Sequence, residues 1–382
     1  MEKTAKIVIL GPAPPPYSGP EVMTLALVAG VSHNPGMSVK YLDTQVSRSV
    51  AEKGGKHQLR KSLSAAHQTA KLVHLMLTFS PDLVYLPLTN SPSFLGFLRD
   101  ALFMISAIIF EKKIAIRMHG GYYVYAHKQG WRRTLVRALL KRVSLAMVQG
   151  RRLKGVFNDL VPESRVAIIP NDIDDAPFLE ARKRLPVAPD HSGLKRVLFV
   201  GFMAPSKGFR DVIAAIPLTP GAHFVFMGEW LKPEDEKEVR SLLRQQCVEE
   251  RVTFTGSVSG SKKYDLFVSA DIFVLPTYYA YEGNAVSSVE ALAAGLPIVC
   301  TDHGALNESV QDGWNGFFLP PSDPAAIGRR LNQLIQDEAL RRTMGERSRQ
   351  LYLERFTLAQ FVDSWSRAIQ ACCKGNYPWP GE

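Results

Sequence analysis

The feature that most constrains this chain is an alternation of short apolar runs with helix-forming stretches, which stops once and then begins again. In the first half the runs KIVIL (6–10), SVKYLD (38–43), PDLVYLPL (81–88), KIAIRMHG (113–120), SLAMVQG (144–150) and RVAIIPND (165–172) read as strands. Helical segments stand between several of them, at 21–31, 58–79 and 131–143. Near-continuous apolar strands separated by helices imply a parallel sheet covered on both faces. In the 58–79 helix, Leu63, Ala66, Ala70, Val73 and Leu77 recur at helical spacing and mark its expected buried face. The stretch 94–110 holds Arg99 and Asp100 within 17 residues, which favours a buried helix over a membrane span.

Residues 181–195 are polar with two prolines and read as a linker. The alternation then restarts with strands at 196–201, 222–228, 252–256, 271–276 and 296–302, and helices from about 208, 234 and 286. A chain of 382 residues exceeds what one core normally supports, so two domains are expected. We place an N-terminal domain over 1–180, the linker over 181–195 and a second domain over 196–357. An amphipathic helix within 358–382 is expected to pack back on the first. The fold class is α/β, with two doubly wound Rossmann-like domains facing across a cleft.

Charge is unevenly distributed. Residues 1–185 carry 26 Lys/Arg against 13 Asp/Glu, and the remainder carries 20 against 23. A cationic first half points to an anionic partner. The helix with Arg132, Arg133, Arg137, Lys141 and Arg142 interleaves them with Trp131, Leu135, Leu139 and Leu140. That pattern suits an anionic membrane surface, and it equally suits a solvated face over a packed one. No nucleic-acid module accompanies the charge. The four cysteines show no metal-ligand spacing and read as reduced thiols, and the N-terminal apolar run is too short for a signal-peptide core. A cytoplasmic protein is expected, either free or peripheral at the inner membrane face.

The chemistry concentrates in EGNAVSSVEALAAGLP, 282–297. Glu282 and Glu290 are eight positions apart, with a turn over Glu282-Gly283-Asn284 leading into a helix. The N–H groups near Val286–Ser288 would offer an anion site, and a carboxylate can accept hydrogen bonds from ribose hydroxyls. Spacing alone also fits two solvated helix charges. Lys207 reads by itself as an exposed lysine before Gly208.

The string and its surroundings resemble the retaining family-4 glycosyltransferases with the GT-B fold. VTFTG (252–256), ADIFVLPT (270–277), the sixteen-residue string itself and HGALNESVQDGWNGFFLPPSD (303–323) stand in the family's order. The resemblance is dense over about 196–360. It implies that Glu290 contacts the nucleotide ribose, that Glu282 faces the donor sugar, and that Lys207 binds the donor diphosphate. It places Gly283, Asn284, Ala285, Val286 and Ser287 along the donor. In the first domain it implies a ligand-lining loop over GPAPPPYSGPE (11–21) with Gly19, and a histidine near the reacting sugar at His119, which read alone is a loop histidine. Asn171 in PND (170–172) is expected to orient backbone. The family's arginine after the first glycine of this domain is replaced by Phe202, with Arg210 nearby.

The activity implied is transfer of a hexosyl unit from a UDP- or GDP-sugar to a hydroxyl acceptor, with retention and with no cofactor or required metal. A saccharide or lipid-linked acceptor at the membrane suits the basic first half. A nucleotide-sugar epimerase of the same fold, or a catalytically weakened nucleotide-sugar-binding protein, are the competing readings.

Overall fold

Each apolar run in the sequence has become a strand of a wholly parallel sheet. The computed structural model describes residues 4–15, 19–32, 34–46, 58–88, 94–121, 130–184 and 193–376. They divide into two units, Met1–Asn171 with Leu358–Glu382, and Asp172–Thr357.

The first unit is built on β1 (Ala5–Gly11), β2 (Met37–Asp43), β3 (Leu83–Pro87), β4 (Lys113–Arg117), β5 (Leu145–Val148) and β6 (Val166–Ile168). They lie in the order β2-β1-β3-β4-β5-β6. Residues Ile7 to Leu10 and Leu145 to Val148 are fully buried, which explains why they show no polar alternation. Around this sheet stand α1 (Gly19–Val31), α2 (Gln58–Thr78), α3 (Phe94–Ile109) and α4 (Trp131–Leu140). The stretch read as a buried helix is α3, and among the described residues no helix is long and apolar enough to cross a membrane.

One face was assigned wrongly. In α2 the buried positions are Ala65, Gln68, Leu72 and Met76, while Leu63 and Leu77 are 64% and 67% exposed. Both stripes repeat at three to four residues, so periodicity could not choose between them. The choice fell to contact with α3 across the sheet's flank.

The last helix, α12 (Leu358–Lys374), belongs to the first unit. Trp365 is fully buried and meets the Tyr85 ring edge-on at 5.4 Å. Lys113 donates to the carbonyls of Cys372 and Cys373, each at 2.8 Å, placing a cation at the helix C-terminus where the dipole favours one.

The second unit holds β7 (Lys195–Val200), β8 (Ala222–Met227), β9 (Val252–Gly256), β10 (Ile272–Leu275), β11 (Ile298–Thr301) and β12 (Gly316–Leu319). Their order is β12-β11-β10-β7-β8-β9. The chain builds outward from β7 to β9, returns, and builds the other way from β10. Its helices are α5 (Ala176–Arg184), α6 (Phe209–Ala215), α7 (Pro233–Gln245), α8 (Ser261–Val268), α9 (Val286–Ala293), α10 (Pro324–Gln336) and α11 (Glu338–Arg355). Strand β12 arises within the 303–323 string, where buried Asn315 accepts from the Gln311 N–H and donates to the Ser309 carbonyl.

The expected boundary needs correction. The units divide after Asn171, not near 180, and residues 181–184 are helical within α5. Phe178 packs on Tyr264 and Phe267, and Arg182 donates to the Ala294 carbonyl, so α5 is part of the second core. Polar surface residues on α5 gave it the composition of a linker. The rest of that stretch, 185–192, lies outside the described residues, as do 16–18 of the proline-rich loop.

Candidate donor site

In an open parallel sheet, the strands on either side of the point where the order reverses diverge at their carboxyl ends and leave a crevice there. In the second unit that point lies between β7 and β10. The loop leaving β7 carries Lys207, and the loop leaving β10 carries Glu282.

The two side chains meet. Lys207 Nζ donates to Glu282 Oε2 at 2.7 Å, and the Thr277 hydroxyl donates to the same oxygen at 2.8 Å. The lysine side chain is 18% exposed and the carboxylate 7%. The ammonium also lies over the Tyr279 ring at 4.9 Å, where the π face attracts it. Burial, then the neighbouring Glu282 charge, push the Tyr279 hydroxyl above its usual pKa.

Backbone contacts hold these loops in register. The Tyr278 N–H donates to the Ser206 carbonyl at 2.8 Å. Gly208 follows Lys207 with φ of 79°, in the left-handed region, and a Cβ there would lie 2.2 Å from the Pro276 carbonyl oxygen. Only glycine fits that approach. Beyond Glu282, the Gly283 carbonyl accepts from the Ala305 N–H, and buried Asn284 donates to the Ser309 hydroxyl at 2.7 Å. Those two residues therefore shape the turn from within, while Ala285, Val286 and Ser287 remain half-buried at the start of α9. The N-cap of α9 is Ala285, which offers no side-chain acceptor to its first N–H groups.

Glu290 lies in the second turn of α9 and is only 5% exposed. Its Oε1 is ion-paired with Lys263 of α8, a residue that sequence reasoning did not single out. Nothing in SKKYDL (261–266) distinguishes this lysine from a solvated one. Thr277 and Tyr279 were likewise given no role, although both fall in or beside the strand-to-helix string.

Other expectations separate cleanly. Arg210 donates to Asp235 and to both carboxylate oxygens of Glu238 at 2.8–2.9 Å, so it is committed to α7. Phe202 leads into Met203, whose N–H donates to the Glu229 carbonyl at 2.9 Å. In the first unit the order reverses between β1 and β3, and Gly19, first residue of α1, follows β1. His119 follows the adjacent β4. Burial, with the nearby Arg117 guanidinium, pushes His119 down to about 3, so its imidazole is neutral at physiological pH. Asn171 is buried, and its side-chain oxygen accepts from the side chains of Gln149 at 2.9 Å and Arg117 at 3.2 Å.

Two doubly wound units, each on a six-stranded parallel sheet, are the architecture of the GT-B fold. The structure is similar to that of HepE from Anabaena solved in complex with UDP, with a TM-score of 0.72 and 18% identity, covering 96% of this chain and 100% of that one. Residues 183–351 match the family described as Glycosyl transferases group 1. An uncharacterized glycosyltransferase of Methanocaldococcus jannaschii is 29% identical over 199 residues, 49% of this chain and 48% of that protein. A glycogen synthase of Mycobacterium tuberculosis is 29% identical over 222 residues, 56% of this chain and 50% of that protein. The matches thus span about half the length of these curated relatives.

Proposed function

We propose that this protein transfers a hexosyl unit from a nucleoside-diphosphate sugar, a UDP- or GDP-sugar, to a hydroxyl acceptor with retention of configuration. The observation that carries the reading is the Lys207–Glu282 pair at the β7/β10 switch point. As the bond to the sugar breaks, negative charge grows on the departing diphosphate. Lys207 and the uncapped first turn of α9 would stabilise it without reorganising, and this reading calls for no metal. Glu282 supplies a fixed negative charge for the positive charge developing at the anomeric carbon. Glu290 accepts from the ribose. Attack comes from the face that the diphosphate leaves.

The test is a thermal-shift screen of UDP-, GDP- and ADP-sugars, followed by acceptor-dependent release of nucleoside diphosphate in membrane extract. At least one nucleotide sugar is expected to raise the melting temperature and to turn over in the presence of EDTA. A screen in which none binds would refute the reading. Turnover of the donor without acceptor would favour an epimerase.

A lipid-linked acceptor is favoured by a patch on the first unit. Trp131 and Phe94 are 59% and 39% exposed and meet edge-on at 6.3 Å, and the Arg132 guanidinium lies 4.7 Å from the Phe94 ring centroid. Leu98, one turn along α3, and exposed Arg133 extend the patch. Exposed aromatics beside cations suit the headgroup boundary of an anionic bilayer. In liposome flotation the protein is expected to rise with anionic vesicles and not with neutral ones. Changing Arg132, Arg133 and Arg137 together to Ala should abolish this, and flotation that survives the change would place the contact elsewhere.

A further inference from the structure

Both glutamates of the switch-point string are held by a lysine, and only one of those lysines has been given a task. Lys263 is the third residue of α8, a helix fixed against α5 by the Phe178–Tyr264 contact at 4.9 Å. Its side chain is 24% exposed, while that of Glu290 is 6% exposed. An ammonium has three N–H donors. Among the described residues Glu290 is the ion-pair partner of this one, and the second oxygen of Glu290 has no hydrogen-bond partner. The second oxygen is not buried out of reach of solvent, so this spare acceptor, with the spare ammonium donors beside it, is open to a polar ligand. Burial lowers the lysine pKa and the Glu290 charge more than offsets this, so the ammonium stays protonated.

We infer that Lys263 is a specificity-determining residue of the nucleoside subsite, reading the ribose diol together with Glu290. The spare carboxylate oxygen accepts from one hydroxyl, and the ammonium donates to the oxygen of its neighbour. A vicinal diol matches this acceptor–donor pair, and a deoxyribose leaves one of the two partners unmatched. Lys263 also holds the Glu290 carboxylate in place. The inference rests on the proposed use of nucleoside-diphosphate donors.

The experiment is calorimetric titration of the intact protein with UDP, GDP and ADP, then with the 2′-deoxy form of the tightest binder. The wild type is expected to prefer the ribonucleotide by about tenfold or more, since a site built to bond a hydroxyl rejects the analogue lacking it. In Lys263→Met the ribonucleotide should weaken by a similar factor, the deoxynucleotide should change little, and the preference should fall towards one. Equal weakening of both forms would mean a purely structural role, and an unchanged preference would mean none; either overturns the inference while leaving the donor reading intact. If the wild type binds none of the three nucleotides, the donor reading fails and this one falls with it. Lys263→Leu, which also removes the donor, serves if the methionine variant does not fold, with the same narrowing of preference expected and an unchanged preference overturning the inference.

Discussion

Lys207→Met is expected to reduce turnover by about 10²–10³-fold, the usual cost of removing one preorganised group that stabilises developing negative charge. The same change strands Glu282, whose side chain is 7% exposed and keeps only the Thr277 hydroxyl on its bonded oxygen. Breaking a buried ion pair from one side destabilises by about 3–5 kcal/mol. Activity and stability should therefore fall together. The double variant Lys207→Met/Glu282→Gln separates them. Removing the stranded charge is expected to recover much of the stability in urea denaturation, while nucleoside diphosphate release stays at or below the level of the single variant, because Glu282 has a task of its own. Turnover within tenfold of the wild type in Lys207→Met would show that the pair is structural and that the leaving group is stabilised elsewhere.

Gly208→Ala is expected to be nearly as damaging without touching a charged group. The residue sits at φ of 79°, and an added Cβ would lie 2.2 Å from the Pro276 carbonyl oxygen and 2.8 Å from its carbonyl carbon. The left-handed conformation alone costs a non-glycine residue about 1–2 kcal/mol. The contact must then be relieved by moving backbone, which adds about 1–3 kcal/mol. Because Pro276 leads into Thr277 and Lys207 precedes Gly208, the relief pulls apart the loops that join Lys207 to Glu282. Gly256→Ala is the matched control, with φ of 67° and nothing within 4 Å of the added atom. The control should lose stability by the conformational cost alone and retain turnover. If both variants behave alike, the close approach at Pro276 does not govern the site.

The missing cation after Gly201 can now be placed in context. Phe202 occupies that position, and Arg210 is bound to Asp235 and Glu238 on α7. The fold also brings Lys263 to the string, where it meets Glu290 and not Glu282. On the proposed reading, two lysine–glutamate pairs serve two parts of the donor, the diphosphate and sugar at Lys207–Glu282 and the ribose at Lys263–Glu290.

By itself the sequence determined most of the strands, several helices and the position of the chemistry along the chain. Buried parallel strands are apolar on both faces, so Ile7–Leu10, Leu145–Val148 and Ile298–Cys300 announce themselves without knowledge of their neighbours. The string from Glu282 to Pro297 likewise declares a turn followed by a helix, which is where α9 begins. What only the tertiary structure decided were relations between distant residues. The buried face of α2 depends on which of two equivalent stripes meets α3. The assignment of α5 depends on whether Phe178 finds a core. Lys207 and Glu282 lie 75 positions apart, and they meet because β7 and β10 pair at the reversal of strand order. Lys263 joins Glu290 by the same kind of accident of packing. Local sequence sets backbone preference and hydrophobic period, but the partner of a buried charge is chosen by sheet order, which no short stretch of chain contains.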